Sequence, residues 1–183
     1  TALASDADLS GITVNGTNST LSATVTGNLT MNGSANLNGA AVAIADSFDL
    51  SLKDSELGTA TITDAGDNTA VTVTALASDA DLTGITVNGT NSTLSATLDT
   101  SSVTTLGATA KLNSAALTLS GTGTLTVHDS ATIAGSTITI GEGASLSGAD
   151  SQIGGLTITD SANNASVTVT ALASDADLSG ITV

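Results

Sequence analysis

Cysteine, proline, tryptophan, tyrosine and arginine are all absent from this chain of 183 residues, which holds one Phe, one Met and one His. Without cysteine there is no disulfide framework, no thiolate metal site and no thiol nucleophile. With Phe48 as the only aromatic ring, the apolar 40% is almost wholly Ala, Val, Leu and Ile. Small aliphatic side chains must therefore fill the interior, which suits a narrow one. The missing prolines fit a chain in which nearly every strand uses its N–H groups in a ladder. Cations are almost missing too: Lys53 and Lys111 stand against 17 acids, for a net charge of −15. Phosphate recognition needs clustered Lys and Arg, so nucleic acid and anionic membrane surfaces are excluded as partners. No apolar run approaches the ~18 residues of a spanning helix, so no membrane insertion is expected in this segment.

What remains is Thr, Ser, Gly, Asn and Asp, the vocabulary of short strands joined by tight turns, and helix is disfavoured. The order of these residues is repetitive. Residues 1–24 return as 74–97 with one change, Ser10 becoming Thr83, and residues 1–14 return again as 170–183. The stretch TITDAGDNTAVTV at 61–73 matches TITDSANNASVTV at 157–169. Near-identity at long range marks a repeat architecture, in which a unit buries its apolar face by stacking on its neighbour. The modules begin near residues 1, 74 and 170, with spacers 25–60 and 98–156 between them. The offsets are 73 and 96 residues, and their difference of 23 is the size of one coil. Residues 1–183 thus read as one continuous array, expected to be an excerpt of a longer chain.

Apolar residues come in φ-x-φ pairs: Ile12/Val14, Leu29/Met31, Val42/Ile44, Leu50/Leu52, Val71/Val73, Ile85/Val87, Leu117/Leu119, Leu125/Val127, Ile138/Ile140 and Leu156/Ile158. Alternation turns both members of a pair inward and the Thr or Ser between them outward. Turn signals such as Asn15-Gly16, Asn32-Gly33 and Asn38-Gly39 separate the pairs. Like pairs recur at 21 residues (Leu29 to Leu50, Leu117 to Ile138), at 20 (Ile133 to Ile153) and at 18 (Ile138 to Leu156). The expected fold is all-β, a parallel β-solenoid (β-helix) of 18–23 residues and three short strands per coil. It would have about nine coils and a length on the order of 40 Å at ~4.8 Å per coil. The alternative is a set of tandem antiparallel β-sandwich repeats, which the 96-residue offset permits but the 23-residue step does not suit.

Chemistry-bearing motifs are few. Ser-Asp-Ala-Asp-Leu occurs three times, so Asp6/Asp8, Asp79/Asp81 and Asp175/Asp177 are candidate carboxylate pairs for Ca²⁺, a cation that prefers such oxygen ligands. Asp64 and Asp67 are further candidates, although Asn163 replaces Asp67 in the other module. Solvated turn acids are the plain alternative. Thr-φ-Thr triplets begin at residues 24, 61, 72, 124, 137, 157 and 168, a pattern like ice-binding faces, but their unequal spacing argues against one regular array. His128 is expected in a solvent turn, with no Cys and no Ser–base pairing nearby. Paired acids alone could serve a polysaccharide-active enzyme, yet the aromatic platforms and basic residues of such sites are missing. No catalytic residue and no certain cofactor is expected, and the chain reads as not an enzyme.

Strands of this kind, as in GTLTVHDSATIAGSTITIGEGASL, resemble the passenger stalks of autotransporters, filamentous-haemagglutinin-like adhesins and giant repetitive surface proteins of bacteria. The resemblance implies a secreted or surface-anchored structural rod in a stalk, filament or sheath. Copies of the chain meeting end to end or laterally are its expected partners. The alternative is an adhesin segment holding carbohydrate or Ca²⁺.

Overall fold

The computed structural model describes residues 2–13, 19–161 and 164–183. Val14, the Asn15-Gly16 turn and Asn163 lie outside them. The chain is an all-β parallel solenoid of about eight turns with about 5% helix. It divides into two compact units, Thr1–Thr74 with Gly84–Ser95, and Ala75–Thr83 with Ala96–Val183.

The first unit contains β1 (Ser22–Val25), β2 (Leu29–Thr30), β3 (Ala41–Ile44), β4 (Leu50–Lys53), the short helix α1 (Asp54–Leu57), β5 (Thr61–Asp64), β6 (Ala70–Thr74), β7 (Ile85–Thr86) and the start of β8 (Thr93–Asp99). One parallel sheet runs β1-β3-β5-β7, and a second runs β2-β4-β6-β8. Register makes inward columns: Ala23, Val42, Ile62 and Ile85 stack on one another, as do Leu50 with Val71 and Leu52 with Val73. All are buried. Each such aliphatic side chain contributes roughly 1.5–3 kcal/mol on burial. Every strand gains this only from the coils on either side, so stability is a sum over neighbours.

The second unit holds the rest of β8, then β9 (Thr105–Leu106), β10 (Ala116–Ser120), β11 (Thr124–Val127), β12 (Thr137–Ile140), β13 (Ser145–Gly148), α2 (Asp150–Ile153), β14 (Thr157–Asp160), β15 (Ser166–Val169) and β16 (Ile181–Thr182). Its sheets run β8-β10-β12-β14-β16 and β9-β11-β13-β15. Leu117 faces Ile138 as the 21-residue spacing requires. Ile138, however, faces Ile158 rather than Leu156, because Leu156 belongs to the preceding corner, where its N–H bonds the Ile153 carbonyl at 3.4 Å.

Most coils supply two strands and a corner, and the coil from Leu82 to Leu112 supplies three strands, β7, β8 and β9. Leu9, Leu37 and Leu57 in the first unit and Leu82, Leu112, Ile133, Ile153 and Leu178 in the second mark the corners. Turn bonds close them: Ala40 N–H to Leu37 O is 2.8 Å, Ala60 to Leu57 is 3.0 Å and Ala115 to Leu112 is 2.9 Å. The third side is so short that it pairs only through isolated bridges, Asp8 with Asn36 and Asp81 with Lys111 and then Thr132. From Leu57 to Ile153, and again from Leu82 to Leu178, is 96 residues. The successive corners between them make that module four coils, whereas Leu9 to Leu82 holds three. The 23-residue difference is therefore one coil. The turn count is about eight rather than nine because several coils are longer than the expected 18–23 residues, with 28 from Leu9 to Leu37 and 30 from Leu82 to Leu112.

Helix was disfavoured on composition, yet α1 and α2 replace the usual turn before corners Leu57 and Ile153. They too lie 96 residues apart, DSEL matching DSQI, so the module extends into both spacers. In α1 the buried Glu56 turns back on the helix start, its Oε2 accepting the Lys53 N–H at 2.8 Å.

Candidate functional site

Each repeated Asp pair is split by its turn. Asp6, Asp79 and Asp175 sit exposed in tight turns closed by Ala7 to Ala4, Ala80 to Ala77 and Ala176 to Ala173 backbone bonds of 3.2, 3.4 and 3.3 Å. The second carboxylate of each pair, also exposed, folds onto its own backbone. Asp8 Oδ1 accepts the Ser10 N–H, Asp81 Oδ1 the Thr83 N–H and Asp177 Oδ1 the Ser179 N–H, each at 3.0 Å. These are Asx turns, which explains the D-L-S/T spelling. The hydrogen bonds from the hydroxyl and N–H of Ser10 and of Ser179 lower the Asp8 and Asp177 pKa values. Asp81 is held furthest, at about 2, first by its hydrogen bond from Lys111 Nζ at 2.8 Å and then by the Thr83 hydroxyl and N–H. Among the described residues, no three His, Cys, Asp or Glu side chains come together as a metal-binding group.

A different acid, Asp64, has the richest surroundings. It ends the inward column Val25, Ile44, Asp64, so its carboxylate is buried where a hydrophobic residue would otherwise stand. The loop of residues 88–92 folds over it. Asn88 N–H lies 3.1 Å from both Asp64 oxygens, Gly89 N–H lies 2.9 Å from Oδ2, and the buried Thr69 hydroxyl donates at 3.3 Å. Burial pushes the Asp64 pKa up, but the Gly89 and Asn88 N–H groups, with the Ser92 and Thr69 hydroxyls, outweigh it and hold the pKa below the ordinary value. Gly89 has no room for a side chain, since a Cβ there would collide with the Gly66 carbonyl. Asp64 is thus a clamp for one loop, with its acceptor capacity used internally.

Asp67 serves the same end. Asp46 Oδ1 accepts the Asp67 N–H at 2.9 Å and Asp67 Oδ1 the Thr90 N–H at 2.7 Å, each 21 to 23 residues on. Asn28 Oδ1 accepts from Asp49, and Asp49 Oδ1 accepts from Ala70, at 3.1 and 2.9 Å. Acids at this corner act as rungs between coils. Sequence reading found Asp67 but missed Asp46 and Asp49, for which the 21-residue coil spacing is the signal.

His128 lies exposed after β11, with its Nδ1 accepting the Ser130 N–H at 3.0 Å. Thr137 and Thr139 face Thr157 and Thr159 across β12 and β14, so unequal spacing in sequence does not prevent local register. Loops absorb the differences in coil length. Thr118 and Thr182 continue the row of Thr139 and Thr159, whereas the triplets beginning at 24, 61, 124 and 168 fall on strands of other sheets. No helix among the described residues is long and apolar enough to cross a membrane. No family model, no curated protein and no solved structure matches the chain.

Proposed function

We propose that this chain is a non-enzymatic structural segment of an extracellular repeat protein, part of a stalk, filament or sheath whose product is length. The observation that supports it best is that its modules differ by a whole coil, three against four, with the same joining segment at 74–97 as at 1–24. The polar side chains at the corners support the same reading, since Asp46, Asp49, Asp64 and Asp67 bind neighbouring coils. The net charge of −15 keeps neighbouring rods apart in dilute salt or lets divalent cations bridge them. The test is to lengthen the chain by one and by two further copies of the 96-residue module and image the particles. Each added module of four coils extends a particle of constant width by about 19 Å at ~4.8 Å per coil. Compact particles strung like beads would overturn the reading.

A further inference from the structure

Three Asn-Gly pairs lie among the described residues, at 32–33, 38–39 and 88–89. In such a pair the glycine nitrogen can attack the preceding side-chain amide and close a succinimide, because no side chain stands in the way. The structure restrains two of the three. At Asn88 the attacking Gly89 N–H is bonded to Asp64 Oδ2 at 2.9 Å. At Asn38 the side-chain Nδ2 is itself bonded to the Leu9 and Ile12 carbonyls at 2.8 and 2.9 Å. Asn32 and Gly33 are exposed, and among the described residues no acceptor takes the Gly33 N–H. Asn32 Oδ1 accepts both the Ser34 N–H at 3.1 Å and the Ser34 hydroxyl at 2.8 Å, which draws electron density away from Cγ.

Lys53 stands beside this amide. Leu29 with Leu50 and Thr30 with Ser51 are register partners on adjacent coils, so Asn32 and Lys53 continue the row two residues on. Both are exposed, while Met31 and Leu52 before them are buried. Lys53 Nζ lies 3.0 Å from the place a Cβ on Gly33 would take. Among the described residues it has no carboxylate within ion-pair distance, whereas Lys111 is paired with Asp81.

Building the turn does not require this pairing. In the second unit His128 Nδ1 accepts the Ser130 N–H at 3.0 Å, and Ala131 N–H closes onto the His128 carbonyl at 2.9 Å, as Ala35 closes onto Asn32 at 2.9 Å. Ala149 stands there, 96 residues after Lys53. The turn forms either way, and the first unit adds an amide and an amine to it.

We propose that Asn32 and Lys53 form a covalent staple between adjacent coils. The Gly33 nitrogen bonds to Asn32 Cγ, the Cγ–Nδ2 bond breaks, and ammonia leaves with the Gly33 proton. The unprotonated Lys53 amine then bonds to Cγ, the bond from Cγ to the Gly33 nitrogen breaks, and an amine proton returns to that nitrogen. The product is an amide between Lys53 Nζ and Asn32 Cγ with the backbone restored, at the loss of one ammonia. No oxidant or cofactor is consumed. Lys53 competes with water from a fixed position, which raises its effective concentration. A chain without cysteine thereby gains a cross-link.

To test this, the purified chain is held at mildly alkaline pH, where a lysine amine is partly unprotonated, then cleaved at aspartate and mapped by mass spectrometry. Asp46 and Asp49 lie between residues 32 and 53, so cleavage separates the two unless they are joined. The expected product is a joined pair of peptides, lighter than their sum by one ammonia, that grows with time to a several-fold excess over Asp or isoaspartate at position 32. Lys53→Arg, a change at an exposed position, keeps the wild-type circular dichroism and yields only Asp or isoaspartate there. Gly33→Ala slows loss of Asn32 several-fold. Conversion of Asn32 to Asp or isoaspartate in the wild type with Lys53 left free overturns the staple, and so does an Asn32 that stays intact.

Discussion

Asp64 shows what a single side chain does in this architecture. An inward carboxylate is tolerated because Asn88 and Gly89 supply N–H donors, which would otherwise be left over at a tight loop. Asp64→Ala is expected to lower stability by about 3 kcal/mol, since it removes charge-assisted bonds and leaves donors unpaired. Asp64→Asn, which still accepts one bond, should lose about half of that in urea titrations. The sign of the pH effect follows from the lowered pKa. The stabilisation is present above the unfolded value of 3.8 and is lost as pH falls through the folded one, so the wild-type melting temperature drops on acidification more than that of Asp64→Asn. Asp81 obeys the same rule, its share being lost as pH falls toward about 2. Its ion pair with Lys111 is nearly half exposed, so Lys111→Ala should cost less than about 1 kcal/mol. Ser136 is the opposite case. It is buried at a corner where its equivalents are Ala40, Ala60 and Ala115, and its Oγ has no hydrogen-bond partner. Ser136→Ala is expected to raise stability by about 1 kcal/mol, read as an increased urea midpoint with unchanged slope.

At the scale of the element, the same residue in the same local sequence can be compared in two packing states. Leu76→Ala opens a cavity in a filled column and should cost about 2–5 kcal/mol. Leu172→Ala removes an already exposed side chain and should stay within about 0.5 kcal/mol. Equal effects at the two positions would mean that local sequence, not the covering strand, sets the energetics. The φ-x-φ pairs made most strands legible, because alternation directly records which side chains face inward, as in Leu117/Leu119 and Ile138/Ile140. The corners were less legible. Leu37, Leu82 and Leu112 are single apolar residues without alternation, and their equivalence shows only when the turns after them are seen to close alike. The helices α1 and α2 were missed since four residues carry no periodicity. The Asp pairs were read by type and spacing, which cannot tell a carboxylate facing a cation from one folded onto the next N–H.

For the whole molecule, the consequence of neighbour-only stacking is that the coil is the unit of change. Residues 116–136 make up one coil, since Ala116 and Thr137 occupy the same register position and the turn after Leu112 would lead directly into β12. Removing those 21 residues preserves the inward columns, because Ile138 and Ile140 then take the places of Leu117 and Leu119. The shortened chain is expected to fold with the same strand signature in circular dichroism and a single cooperative transition, slightly less stable for lack of one coil's buried aliphatic side chains. Removing only residues 116–126 instead joins the corner to a half-coil and puts Val127 and the exposed His128 turn where a full strand should stand. The energetic penalty then falls on both neighbouring coils at once, since each loses its partner along a complete sheet. That variant should expose apolar surface to a hydrophobic dye or fail to fold. If both deletions behaved alike, either folding or failing together, stability would not be divided coil by coil, and the argument that length can be added or removed without altering anything else would fail with it.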